Sequence, residues 1–146
     1  NRLLENVNDV IRYLTRESAE RVILVGESLG TALAAYHAFL APAYKTILIA
    51  PFNTLTDVAR KHYWYFPVAL LLKDTYPAER WMKDADKVLI LHGANDTIIP
   101  TESGRKLFAA IGGENKFFVQ IENVGHNDIY ESALVKKAIK DFLVKE

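Results

Sequence analysis

The chain has 146 residues, half of them apolar, which suits one compact domain with a hydrophobic core and is unlike a disordered segment. Its 18 lysines and arginines balance 18 aspartates and glutamates, so no field of either sign argues for nucleic acid or an anionic surface as a partner. Cysteine is absent, which removes disulfides, thiol nucleophiles and thiolate metal sites.

No apolar run approaches the roughly 20 residues that span a bilayer, and no signal-peptide pattern opens the chain. The expectation is a cytoplasmic location for the soluble part, with an amino-terminal anchor ahead of Asn1 left open. In chain order, Leu4, Val7, Val10, Ile11 and Leu14 recur at helical spacing, predicting a helix over residues 3 to 18 with one buried stripe. Arg21-Val22-Ile23-Leu24-Val25 is a short, almost wholly apolar run, the pattern of a strand at 21–25 covered on both faces. From Leu29 to Leu40 the alanine-rich stretch favours a helix, and Pro42 marks its end.

Further strands are expected at 45–50, 86–91 and 115–121, and further helices at 102–111 and 129–143. Short apolar strands alternating with helices give an α/β fold with a parallel sheet of at least four strands, in a single domain over residues 1–146. A sheet of this kind carries its binding loops beyond the carboxyl ends of its strands. Residues 53–84 interrupt the alternation and are too long for a plain connection. They are expected to form a small helical, cap-like insertion. Its aromatics, His62-Tyr63-Trp64 and their neighbours, either pack on the domain or face an acyl or aromatic substrate.

The chemistry starts at Gly26-Glu27-Ser28-Leu29-Gly30, which sits between the first strand and the alanine-rich helix. A G-x-S-x-G run in that context reads as a nucleophile elbow, with Ser28 at the tip of the turn and Gly30 letting the helix pack close to the strand. The helix N-terminus, through the N–H of Leu29, would face a developing oxyanion. The plainer alternative is a tight turn in which Ser28 only caps the helix.

Serine needs a base and an orienting carboxylate. Of the four histidines, His37 lies inside a helix, His62 sits in the insertion, and His92 ends a strand where it would shape the loop. His126 follows the fourth strand in a loop that reaches the same sheet edge as Ser28, and is the candidate base. Asp96, shortly after the third strand, is the candidate acid; the alternative is an Asx turn before Pro100. Asp57 is a rival acid, and Asp128 stands too close to His126 in sequence. Neither metal-ligand spacing nor a nucleotide-binding glycine pattern is present, so no metal or cofactor is expected.

The order serine, acid, histidine is that of the α/β-hydrolase arrangement. Through the elbow, Ala50-Pro51-Phe52-Asn53-Thr54-Leu55-Thr56-Asp57, His92-Gly93 through Pro100 and Gly125-His126-Asn127-Asp128, the chain resembles the α/β-hydrolases of the BEM46 and ABHD13-like type. That resemblance implies a triad of Ser28, Asp96 and His126 and a serine hydrolase, without naming a substrate; the elbow, the sheet order and the two placed loops make cleavage of carboxylic esters or thioesters the expected reaction. The small-molecule substrate would carry a modest apolar acyl group, with Phe52, His62, Tyr63 and Trp64 offered as pocket residues. The family's early strands, and the early loop that gives a second oxyanion N–H, have no match here. The expectation is therefore the carboxyl-terminal portion of the fold, with strand 21–25 covered by a missing amino-terminal segment or by a second copy of the chain. A non-catalytic interaction domain and a peptidase or amidase are the competing readings. Thr31 stands where many relatives have glycine, and its side chain is expected to bond back to the backbone.

Overall fold

The computed structural model describes residues 1–17, 21–62 and 75–145. Helix α1, Arg2–Arg16, starts at Asn1, whose side chain accepts from the N–H of Leu3 at 3.0 Å. The strands are β1 (Ile23–Glu27), β2 (Lys45–Ile49), β3 (Val88–Gly93) and β4 (Lys116–Ile121). All pair in parallel, in the order β1-β2-β3-β4. The chain is thus an α/β protein with the four expected strands and flanking helices.

Two strands sit later than their apolar text. β1 and β3 were expected at 21–25 and 86–91, yet they end at Glu27 and Gly93. The ladder decides: Glu27 stands in register with Ile49, and Gly93 with Ile121, so hydrogen bonding carries each strand past its last apolar residue. As a result, Gly26 and Glu27 of the elbow are still strand.

The helices that follow are α2 (Leu29–Leu40), α3 (Leu55–His62), α4 (Ala78–Trp81), α5 (Thr101–Ala110) and α6 (Ala133–Val144). The helix expected over 129–143 is divided. Ile129–Glu131 form a single 3-10 turn, and Ser132 then starts α6, its side chain accepting from the N–H of Leu134 at 3.2 Å. Within 53–84, α3 and α4 are helical; residues 63–74 between them lie outside the described residues.

Alternation along the central strands separates two cores. Leu48, Val88 and Ile90 pack with Ala34 and Ala35 of α2, Ala78 and Met82 around α4, and Leu107 of α5. Ile47, Ile49, Leu89 and Leu91 pack on the other face with Ile121, Ile129, and Val135 and Phe142 of α6. Both faces of β2 and β3 are covered, as their continuous apolar runs require. β1 differs from the expectation. Ile23 is 43% and Val25 62% exposed, because they share the α6 face, where the helix packs on β3 and β4 instead.

Lys45, at the start of β2, is 2% exposed. Its ammonium donates to the carbonyl oxygens of Phe142 and Leu143, each at 2.9 Å, and of Lys145. These are the orphan carbonyls at the end of α6, where a positive charge is favoured by the helix dipole.

Candidate active site

Ser28 joins β1 to α2 with φ 50° and ψ −121°, a left-handed conformation that costs a non-glycine residue strain and persists only when its surroundings impose it. Its N–H donates to the carbonyl of Ile49 at 3.0 Å, continuing the ladder into the turn. The side chain makes no capping hydrogen bond to α2. That sets aside the plain capping role and leaves a half-buried hydroxyl at the strand's carboxyl end. Leu29, the first residue of α2, has its N–H where no preceding helical turn can accept it.

The glycine that makes this turn tight is not the expected one. A Cβ on Gly30 would meet nothing within 4 Å among the described residues, whereas a Cβ on Gly26 would stand 2.5 Å from the carbonyl oxygen of Gly30 and 2.8 Å from Cα of Thr31. It is therefore Gly26 that lets strand and helix approach. The hydroxyl of Thr31 bonds back, donating to the carbonyl of Ser28 at 2.5 Å.

The two carboxylate oxygens of Asp96 meet different partners. Oδ1 accepts from the N–H groups of Ile98 at 2.9 Å and Ile99 at 2.7 Å, the Asx turn. Oδ2 lies 2.7 Å from Nδ1 of His126. Because an ionised carboxylate only accepts, Nδ1 carries the proton and Nε2 is left as the basic nitrogen. Burial raises the Asp96 pKa, but hydrogen bonds from His92, His126 and the N–H of Ile99 more than offset that, and the carboxyl titrates below its ordinary 3.8.

The loop carrying His126 is braced by Asp128, whose Oδ1 accepts from the N–H of Gly125 at 2.8 Å, and it leaves β4 through Asn123 in a left-handed conformation that asparagine tolerates. β4 and β1 are three ladder spacings apart, roughly 14 Å. The chain crosses that gap: the hydroxyl of Tyr130, just after His126, donates to Oε2 of Glu27, just before Ser28, at 2.8 Å. Three loops thus converge on one sheet edge.

The remaining candidates fall elsewhere. Asp57 sits in the first turn of α3, with its N–H on Oγ1 of Thr54. His37 is buried in α2. Phe52, offered as a pocket residue, is 2% exposed and packs with Ala32, Tyr76 and Ile99, a core position fixed by its large apolar ring. His62 ends α3, but its side chain, with Tyr63 and Trp64, lies outside the described residues. Sequence reasoning missed Tyr130. Its only signal is a tyrosine four residues after the base, and its partner is 103 residues away. Among the described residues no group of histidines and carboxylates could hold a metal ion.

The fold has counterparts among solved structures. The esterase domain of a Rhodothermus marinus protein superposes with a TM-score of 0.70 at 20% identity, covering 95% of this chain and 66% of that one. The monoacylglycerol lipase of Paleococcus ferrophilus gives 0.67 at 18% identity, over 97% of this chain and 75% of that one. At these identities the likeness is one of fold. In sequence, the chain is 36% identical over 128 residues to the uncharacterised Mycobacterium tuberculosis protein Rv2307c, covering 86% of this chain but 45% of that protein, so it spans about half the relative's length. The α/β-hydrolase family model described as TAP-like protein matches residues 68–146, more than half of the sequence and both Asp96 and His126. With its four parallel strands, its helices and that match, the chain belongs to the TAP-like family of α/β-hydrolases.

Proposed function

We propose that the protein is a serine hydrolase of the BEM46/ABHD13-like type that cleaves carboxylic esters or thioesters through an acyl-enzyme on Ser28. The observation that carries this reading is the Asp96–His126 pair at 2.7 Å, on the sheet edge where Ser28 stands in a strained elbow. Asp96 holds the Nδ1–H tautomer, so Nε2 of His126 takes the Ser28 proton as Oγ attacks the carbonyl carbon and returns it to the leaving alcohol or thiol. Water then attacks the acyl-enzyme with the same histidine as base, and Ser28 is regenerated. The N–H of Leu29 donates to the oxyanion. No metal or cofactor takes part.

A fluorophosphonate probe, together with p-nitrophenyl acetate turnover, tests the assignment. Wild type is expected to label and turn over, and Ser28→Ala to do neither. Equal labelling of the two proteins would sink the reading. A modest apolar acyl group is the proposed substrate class, a choice suggested by the aromatic sequence at 62–66; a chain-length series of p-nitrophenyl esters should show an optimum, and a flat series would remove the shaped pocket. Amide cleavage ranks lower because an amine leaves less readily than an alcohol and demands more acid catalysis.

One observation favours a second reading, an interaction domain. β1 presents Ile23 and Val25 to solvent and is paired only with β2 among the described residues. Either a second copy of this chain or a further amino-terminal segment would cover that strand. Light scattering separates these: a stable complex without ester turnover supports the interaction domain, and a monomer that acts through Ser28 removes it.

A further inference from the structure

His92 plays no part in the mechanism above, yet it is wholly buried at the end of β3, four residues before Asp96. Its Nε2 lies 2.9 Å from the carbonyl oxygen of Ile99. A carbonyl can only accept, so Nε2 bears the proton and Nδ1 is bare. That bare nitrogen has no hydrogen-bond partner among the described residues. The same N–H edge stands 3.5 Å from Oδ2 of Asp96, the oxygen that meets His126.

These contacts form a closed chain. His92 Nε2–H holds the carbonyl of Ile99, the N–H of Ile99 holds Oδ1 of Asp96, and Oδ2 of Asp96 holds His126. The opposite side of the imidazole is accommodated by α5, where Gly104 faces it: a Cβ at that position would overlap Nδ1 of His92. The helix has given up a favourable residue to admit the ring, since glycine in a helix interior is disfavoured relative to alanine. A leucine would fill the space without leaving a buried nitrogen unpaired, so packing alone does not account for an imidazole here. The part of His92 that an apolar residue cannot replace is the Nε2–H.

We propose that His92 is the positioning residue for the acid of the triad: through Ile99 and its own N–H edge it fixes the Asp96 carboxylate for His126, so that one carboxylate serves a wholly buried structural imidazole and a part-buried reactive one. The inference rests on the triad reading above. His92 has no exposed surface and does not touch substrate. Its loss therefore affects kcat and leaves KM in place, because the binding surface is unaltered while the base is misoriented.

The test uses His92→Leu, His92→Gln and Gly104→Ala. Glutamine carries an amide N–H at about the reach of Nε2 and is the conservative rescue; Gly104→Ala displaces the ring without changing it. Thermal melts establish that each variant is folded. With p-nitrophenyl acetate, His92→Leu and Gly104→Ala are expected to lose roughly 10- to 100-fold in kcat with KM within about twofold, and His92→Gln to recover most of it. The second readout does not need turnover: the proton NMR resonance of His126 Nδ1–H, downfield in wild type and in His92→Gln, should move upfield or disappear in the other two. Wild-type kcat in folded His92→Leu overturns the proposal, as does a downfield resonance that is missing from wild type or identical in all the folded variants. If the protein hydrolyses no ester while the resonance responds as expected, the esterase reading fails and the positioning of Asp96 by His92 stands.

Discussion

Tyr130 donates to Glu27 across the carboxyl edge of the sheet, at 2.8 Å, and so ties the residue before Ser28 to the turn that follows His126. Burial first, and then the hydrogen bond and charge of Glu27, push the phenol up to about 12 from 10.0. A raised pKa contributes stability that is complete below pH 10 and is lost as pH rises from 10 towards 12. Glu27→Gln should return the Tyr130 titration towards 10, read from tyrosine absorbance against a Tyr130→Phe blank. Tyr130→Phe should lower kcat/KM for an activated ester about tenfold at most while changing stability by about 1 kcal/mol. A stability loss without any change in rate would show that the tether does not orient the site.

Asp96→Asn keeps the shape of the site but removes the charge that holds the His126 tautomer. The expected loss in kcat is about four orders of magnitude, the scale of the equivalent change in a serine protease. Stability supplies an independent check. The folded pKa of Asp96 lies below 3.8, so its ionised form stabilises the fold above that value and the contribution is lost as pH falls through the folded pKa. Urea melts from neutral to acid pH should show the wild-type advantage over Asp96→Asn shrinking on acidification. An advantage constant with pH would mean that the charge is not what stabilises.

Ser28 is held at φ 50°. Glycine occupies that region without the steric cost, so Ser28→Gly should abolish labelling by a fluorophosphonate and raise stability by about 1 kcal/mol. The measurement is a paired thermal melt and gel assay. A variant that is inactive and also less stable would show that the elbow is not strained.

Lys45 should matter for folding and not for chemistry, since it closes α6 on the face away from the elbow helix. Lys45→Met leaves carbonyls of Phe142 and Leu143 without their cation, at an expected cost of about 2 kcal/mol. Denaturant unfolding gives the cost, and kcat for an ester should be unchanged in the folded fraction.

Much of the fold was legible because it depends on local periodicity. The runs at Ile47 to Ile49 and Val88 to Leu91 are apolar throughout, which only a strand covered on both faces tolerates, and α2 follows from its alanines. What misled was the use of hydrophobicity to place ends: Gly26, Glu27 and Gly93 are strand because neighbours bond to them. β1 also read as doubly covered, and its exposed Val25 depends on how far α6 extends over the sheet, which the β1 text does not encode.

The sequence by itself determined the elbow pentapeptide, the order of Ser28, Asp96 and His126, and the strand-then-loop setting of each, since these are properties of a few consecutive residues. Only the tertiary structure decided which contacts those residues make. The split of Asp96 between Ile98, Ile99 and His126, the second imidazole of His92 beside the same carboxylate, the crossing from Tyr130 to Glu27 and the closure of α6 by Lys45 all join groups on different elements. Such pairings depend on strand order and on which face each residue presents, and a side chain acquires them when the sheet has formed and its helices have packed.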